Sequence, residues 1–200
     1  MDKETLFTGS KWDILKLLGK RKMSPLELAE QSRTSMANIS QQLRFLEMAG
    51  IVTSERLSNR DKGQPRILYS LSGNNSFLIS VAPGFVDKGL QELNERKKAI
   101  LRIWFYDDKE QQYFLEKGFT ILDRYLEEID AVGIDGTDGS SITFTIITSN
   151  GMLKKDFPDL KIKSFDGEEK TMKYRLISKS QLKDKSKYYG LYDPQLLFGG

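Results

Sequence analysis

Three carboxamide side chains, Asn38, Gln41 and Gln42, lie close together in the stretch SMANISQQLRFLEMAG, residues 35–50. A carboxamide holds a donor and an acceptor side by side, so it can bond both the N6 amino group and N7 of adenine in the major groove of DNA. These three residues are therefore predicted to contact bases. Solvated surface polarity is the alternative explanation for Gln41 and Gln42.

The same spacing predicts a helix with the amides on its outer face. Ser35 is a suitable N-cap, and Gly50 is a suitable left-handed residue after the helix, with Ile51 packing back on it. Residues recurring at three- and four-residue steps predict an apolar stripe that faces a core. The stripe consists of Met36, Ile39, Leu43 and Leu46. We expect a recognition helix over residues 35–49.

Hydroxyl and guanidinium groups beside these amides are suited to phosphate oxygens, which fix the position of a protein on DNA without selecting a base. Thr34 and Ser35 at the start of the helix and Arg44 on its flank are predicted to make such contacts. The alternative for Arg44 is an ion pair with Glu47, three residues further along the helix.

Two shorter helices precede this one in the pattern. Ser10 is predicted to cap the first, which ends at Gly19. Ser24, Pro25 and Glu27 form a complete start signal for the second, with a serine cap, a proline at the first helical position and a glutamate closing a capping box. We expect three helices in the first fifty residues, the last of them carrying the amides.

A β-hairpin follows the helices. IVTSERLS and RILYSLS are rich in strand-forming residues, and NRDKGQP between them is rich in turn formers. Arg60, Lys62 and Arg66 make this segment, residues 58–66, a basic wing that would track the DNA backbone or enter the minor groove. Such cations could instead only keep a hairpin tip soluble. Three helices and this hairpin predict a winged helix-turn-helix.

The chain resembles the winged-helix repressors of the ArsR type found in archaea and bacteria, over roughly residues 8–72. The helix pattern of that family is matched by SMANISQQLRFLEMAGIV, and the wing pattern by Gly63, Pro65, Arg66 and Tyr69. The resemblance implies a regulator that binds double-stranded DNA as a homodimer. Many members sense metals through cysteine and histidine, and this chain has neither, so no metal site is expected.

The composition narrows the function classes further. Absence of cysteine and histidine removes thiol chemistry and the commonest general base, so we expect no catalytic residue and no cofactor. Residues 1–82 carry a net charge of +4 and the remainder −1, which places the basic excess in the first part. With no apolar run long enough to span a membrane and no signal-peptide core, a soluble cytoplasmic protein is expected.

Three segments are expected from the composition shifts: a DNA-binding domain over residues 1–82, a linker helix over 83–98, and a domain over 99–200. The helix is predicted from the spacing of Phe85, Leu90 and Leu93. The run ILRIWFY then predicts a strand, followed by a helix that Asp107 and Asp108 cap and that continues through LEEID. One continuous helix over 85–129 is the alternative.

Four further strands are predicted at AVGID, SITFTIITS, LKIKSF and MKYRLIS, which makes the whole chain α+β. The last domain would serve dimerisation or hold a small-molecule effector. Several aromatic residues could line a pocket there, although core packing is the favoured interpretation. They are Trp104, Phe105, Tyr106, Tyr113, Phe114, Phe119 and Tyr125.

Two other chemical interpretations concern the second half. The run DGTDG resembles part of a calcium loop but lacks the later ligands, so a turn between strands is favoured. YRLISKSQLKDKSKYYGLYDP resembles the tail of minimal nucleotidyltransferases, but AVGIDGTDGSS does not supply their paired aspartates. A degenerate, nucleotide-binding relative of that domain stays open, as does a winged-helix adaptor that binds proteins and not DNA.

Overall fold

The computed structural model describes residues 3–57, 66–137, 139–149 and 157–198. The chain divides into two compact units, Met1–Leu93 and Asn94–Gly200. Both units combine helices with antiparallel strands, which confirms the predicted α+β class. None of the described helices is long and apolar enough to cross a membrane.

Three helices form the body of the N-terminal unit: α1 (Gly9–Leu18), α2 (Pro25–Ser32) and α3 (Met36–Met48). A 3₁₀ helix, Lys3–Phe7, precedes them. α3 packs on both α1 and α2 through the predicted stripe, in which Ile39, Leu43 and Leu46 are fully buried. Met36 was wrongly assigned to that stripe. It is 43% exposed, because it is the first residue of the helix and lies before the stripe reaches the core.

The helix starts agree with the sequence at α2 and α3 but not at α1. Ser24 and Glu27 form the predicted capping box, and the Ser35 hydroxyl accepts a hydrogen bond from the backbone N–H of Asn38 at 3.2 Å. The cap predicted at Ser10 is wrong: α1 already begins at Gly9, and Thr8, its N-cap, makes no side-chain capping bond. The backbone turns into the helix there through Gly9, which has a positive φ of 57°.

α3 ends in the closure that the sequence predicts. Gly50 has φ of 71°, its N–H donates to the Glu47 carbonyl at 2.9 Å, and the Ile51 N–H donates to the Leu46 carbonyl at 2.9 Å. This pair of bonds is a Schellman motif, which satisfies carbonyls that a helix end otherwise leaves without partners. The end of α3 is thereby held at a defined residue.

The first hairpin follows at once, with β1 (Val52–Leu57) antiparallel to β2 (Arg66–Leu71). Its base is tied to the helices because Met23 and Tyr69 exchange two backbone hydrogen bonds, at 3.1 and 2.8 Å. The predicted basic tip, with Arg60 and Lys62, lies outside the described residues.

A second hairpin stands where the linker helix over 83–98 was predicted. β3 (Asn75–Ala82) and β4 (Phe85–Glu92) pair antiparallel along their full lengths around a turn at Pro83 and Gly84. The helical spacing was misleading because the run FLISVA forms a strand, and the tight turn after it leads the next eight residues back along that strand.

The C-terminal unit opens with two helices, α4 (Glu95–Trp104) and α5 (Lys109–Leu122). The strand predicted at ILRIWFY is therefore wrong, as is the alternative of one helix over 85–129. Asn94 caps α4, and Ala99 and Ile103 bury one face of it, which together outweigh the strand preference of the run. Asp108 caps α5 as predicted, but α5 ends at Leu122, before LEEID.

A five-stranded sheet completes this unit. Its strands are β5 (Ala131–Thr137), β6 (Ser141–Ile147), β7 (Leu160–Lys163), β8 (Glu169–Ile177) and β9 (Tyr189–Tyr192). Their order is β7-β8-β6-β5-β9, and only β6 and β8 run parallel among these pairs. The four predicted strands are confirmed, whereas β9 was not predicted. α5 lies close to the sheet, since a Cβ on Gly118 would be 2.5 Å from the Phe144 ring.

Exchanging Gly50 for alanine tests the closure of α3. Gly50→Ala should lower the free energy of unfolding of the N-terminal unit by about 1–2 kcal/mol, because a side chain disfavours positive φ although nothing crowds the site. Urea unfolding in a Trp104→Phe background, where Trp12 is the remaining tryptophan, measures this unit.

Arg33→Gly is the matched control, because Arg33 also has a positive φ, of 53°. Glycine relieves that strain, so this exchange should raise the free energy of unfolding by up to about 1 kcal/mol. Equal losses in both variants would show that side-chain contacts, and not backbone conformation, decide the stability at these turns.

Candidate nucleic-acid interface

The turn between α2 and α3 sets where the outer face of α3 begins. Arg33 adopts the left-handed conformation, and the Thr34 N–H donates back to the Ala29 carbonyl at 3.1 Å. Ser35 then caps α3 through its hydroxyl. These local bonds fix the chain direction at the point where the predicted contact residues start.

Three predicted contact residues are joined by hydrogen bonds on that face. The Asn38 amide Nδ2 donates to Thr34 Oγ1 at 3.0 Å, and Gln42 Nε2 donates to Asn38 Oδ1 at 3.1 Å. All three side chains are half-buried. These two hydrogen bonds orient the Asn38 carboxamide from both sides. The carboxamides of Asn38 and Gln42 each keep donors and acceptors that the two bonds do not use.

Gln41 and Arg44 differ from these three hydrogen-bonded residues because their side chains are exposed. Neither side chain makes a hydrogen bond or ion pair with another described residue. The alternative pairing of Arg44 with Glu47 is not observed, since Glu47 Oε1 accepts from the Ser54 hydroxyl at 2.6 Å. Both groups are thus available to an external partner.

Of the three cations predicted in the wing, the structure describes one, Arg66 in the first hairpin. Arg66 is exposed at the first position of β2, opposite Leu57. Arg60 and Lys62 lie outside the described residues. Arg33 was not predicted as a contact, although it is an exposed cation directly before Thr34 and forms no ion pair with a described residue. The sequence offered one indication that Arg33 could contact DNA, which is its position directly before the predicted phosphate contacts Thr34 and Ser35.

Comparisons with known proteins address the family of this region. Residues 9–54 match the family model described as "Bacterial regulatory protein, arsR family". That range contains α1, α2 and α3 and the first residues of β1. Residues 9–54 are an ArsR-type helix-turn-helix domain. The predicted resemblance is confirmed for this part of the chain, and the family places it among DNA-binding transcriptional regulators.

A solved structure of a mutant of ZitR from Lactococcus lactis is similar over a smaller extent. The match has 26% sequence identity and a TM-score of 0.29, and covers 32% of this chain. It spans 42% of the ZitR chain, which is less than half of that protein. No curated protein matches this chain.

The helix-turn-helix domain has one strongly perturbed carboxyl group, at the start of α2. Hydrogen bonds from the Ser24 amide and hydroxyl, and then from Arg21, lower the pKa of Glu27 from 4.5 to about 2. At the base of the first hairpin, burial and then the charge of Glu47 raise the pKa of the Tyr69 hydroxyl. Glu27 therefore stays ionised, and Tyr69 neutral, at neutral pH.

The described residues of the C-terminal unit support neither a calcium loop nor a pocket lined by the aromatic residues. Asp135 is paired with Arg175, Asp138 lies outside the described residues, and no described cluster of acidic residues could hold a metal. Phe114 and Phe119 are buried in the core, and Trp104 and Phe105 are exposed, so the aromatic residues do not form a common pocket. The tyrosines among them pack against the core, as favoured: Tyr106, Tyr113 and Tyr125.

Removing the charge of Glu27 should change the pH dependence of stability. A group with a lowered folded pKa stabilises the folded state above its unfolded pKa, and this contribution disappears as pH falls from about 4.5 toward 2. Glu27→Gln should therefore be less stable than the parent at pH 7, and the difference should shrink over that window. Urea midpoints at pH 7, 4 and 2.5 measure it.

Glu30→Gln is the matched control on the same helix, because Glu30 is exposed and takes no part in the cap. It should leave the urea midpoint within error of the parent at each pH. A stability difference for Glu27→Gln that stays constant down to pH 2.5 would contradict the stabilisation assigned to the ionised Glu27 carboxylate at the start of α2.

Proposed function

We propose that this protein is a sequence-specific transcriptional regulator that places α3 in the major groove of an operator. The observation that carries the proposal is the outer face of α3 in an ArsR-type domain. On it, Gln41 is exposed without a partner among the described residues, beside the hydrogen-bonded Thr34, Asn38 and Gln42.

Gln41 is the base-contacting residue with the strongest support. Its carboxamide can bond N6 and N7 of one adenine at once, and it has no competing bond to a described residue to break first. Asn38 and Gln42 each keep at least one N–H donor and one oxygen lone pair that these bonds leave unused, and both are already oriented, so ordering them on DNA costs little conformational entropy. We propose that they contact bases at the same half-site.

Residues at the start and flank of α3 and in the first hairpin are proposed to contact DNA phosphates, which does not depend on base sequence. Ser35 and Thr34 lie at the helix start, where backbone N–H groups and the helix dipole favour an anion. Arg44 and Arg66 are exposed cations suited to phosphates. We further propose that the first hairpin acts as the wing, with Arg60 and Lys62 contributing at its tip.

Recognition of a two-fold symmetric operator requires two copies of the domain, so the proposal includes a homodimer. Its half-sites would be centred about 10–10.5 base pairs apart, one turn of DNA. We assign the C-terminal unit to dimerisation or effector response rather than to catalysis. An open, polar hollow of about 650 Å³, bordered by Asp130, Ser149 and Gln195, is one surface of this unit on which a ligand could bind.

Two substitutions separate base contacts from phosphate contacts. Gln41→Ala should cost about 1–3 kcal/mol of binding at one base pair and leave non-specific binding unchanged. Arg66→Ala should weaken binding to all duplexes alike and reduce the salt slope by about 0.9 for each phosphate that it no longer neutralises. Fluorescence anisotropy with the promoter of its own gene and a scrambled duplex, at two salt concentrations, measures both.

The parent protein defines the outcomes of that titration. It should prefer the promoter by about 10³-fold or more, with a log–log salt slope near −5 if about six phosphates are neutralised per dimer. Equal, salt-sensitive binding to every duplex, with no dependence on Gln41, would reject sequence-specific recognition and favour the protein-interaction adaptor.

A further inference from the structure

An apolar cavity lies beside the C-terminal half of α3, within the N-terminal unit. It has a volume of about 360 Å³. Phe45 and Met48 of α3, with Ala49 directly after the helix, form one wall, and Leu6 and Phe7 of the 3₁₀ helix form another. Ile51 and Leu90 complete the lining, the latter from the second hairpin, and the cavity is open to solvent on one side.

The shape and lining of this cavity suit a small molecule. Ligand sites in proteins span roughly 300–1,000 Å³, and an apolar cavity of about 150 Å³ holds one benzene molecule. The present volume therefore fits an uncharged molecule of about ten carbons, or a bicyclic aromatic. No lining side chain carries a charge or a hydrogen-bonding group stronger than a thioether, so a polar ligand would lose its bonds to water without replacement.

The cavity shares a helix face with the proposed base contact. Phe45 and Met48 follow Gln41 by four and seven residues, so the three side chains lie along one line of α3. Met48 lines the cavity and is 76% exposed, which places it at the mouth. A molecule in the cavity would contact the same helix that is proposed to enter the groove.

A second, smaller hollow of about 210 Å³ borders the first. Phe7 and Ile51 line both, and Trp12 lines the smaller one. Phe7 is also stacked on Phe77 of the second hairpin, with ring centroids 5.4 Å apart. A molecule in the larger cavity would therefore touch Phe7 and Ile51, which line the smaller hollow together with Trp12, so Trp12 supplies an optical signal.

We propose that the cavity binds a small uncharged apolar molecule and that this molecule regulates DNA binding through α3. The regulatory part rests on the proposed function, whereas the binding part does not. This effector site in the N-terminal unit is separate from the effector response proposed for the C-terminal unit.

The binding step is tested with decan-1-ol as the probe. In the 200-residue protein carrying Trp104→Phe, decan-1-ol should change the Trp12 emission saturably in the micromolar range. Decane-1,10-diol should bind at least tenfold more weakly, because one of its hydroxyls would be buried without a partner. Absence of saturable binding by decan-1-ol, or equal affinity for the diol, overturns the assignment.

Two variants locate the probe. Ala49→Phe fills the cavity and should weaken decan-1-ol binding at least tenfold, and Met48→Gln, at the exposed mouth, should weaken it several-fold without threatening the fold. Ala82→Phe is the matched control, since Ala82 is exposed on the second hairpin and does not line the cavity. Unchanged binding in Met48→Gln and in folded Ala49→Phe overturns the location.

Coupling to DNA is measured in both directions. Saturating decan-1-ol should change the Kd for promoter DNA at least threefold, and bound DNA must change the Kd for decan-1-ol by the same factor. Promoter binding that is unaffected by a bound probe rejects the regulation and leaves the proposed function standing. Probe binding without any DNA binding rejects the proposed function and leaves the cavity site.

A different result would show that a second copy of the protein occupies the cavity. In that case the parent protein binds no probe, and its dimer dissociates when Met48 is replaced by glutamine.

Discussion

Burial of one face of α3 is the interaction on which the N-terminal unit depends. Ile39, Leu43 and Leu46 are fully buried against α1 and α2. Because successive residues of a helix are 100° apart, burying this stripe also decides which side chains point away from the core. The outward position of Gln41 and Arg44 is therefore a consequence of core packing, and needs no interaction of its own.

Both ends of α3 are closed by bonds that set its length. The Ser35 hydroxyl caps the first turn, and the Schellman bonds around Gly50 close the last one. The first hairpin starts two residues after Gly50 and is tied back to the α1–α2 turn through Met23 and Tyr69. This arrangement would favour the proposed contact with a DNA groove, because a rigid surface loses little entropy on binding.

The second hairpin gives this unit a feature that the helices alone would lack. Its inner residues, Phe77 and Leu90, pack toward Phe7 and the end of α3. The space left between them is apolar and remains open at Met48. The same helix thus has a polar surface over its first half and an apolar surface over its second, which suits two different kinds of partner.

The sequence by itself determined the elements whose signals are local. The capping box at Ser24, the cap at Ser35, the stop at Gly50, the strands of the first hairpin and the strands β5 to β8 depend on residues within a few positions of each other. The outward position of Gln41 followed from the same periodicity. These features could be predicted because the interactions that produce them are made inside one segment.

The tertiary structure decided what depends on partners distant in the chain or on competition between local preferences. Residues 85–92 have helical spacing but pair with β3, and ILRIWFY has strand preference but buries Ala99 and Ile103 as a helix. The bonds linking Thr34, Asn38 and Gln42 depend on side-chain rotamers, and the cavity on three separate elements. Composition and spacing do not encode such arrangements directly, because their free energy is gained only when the segments pack together.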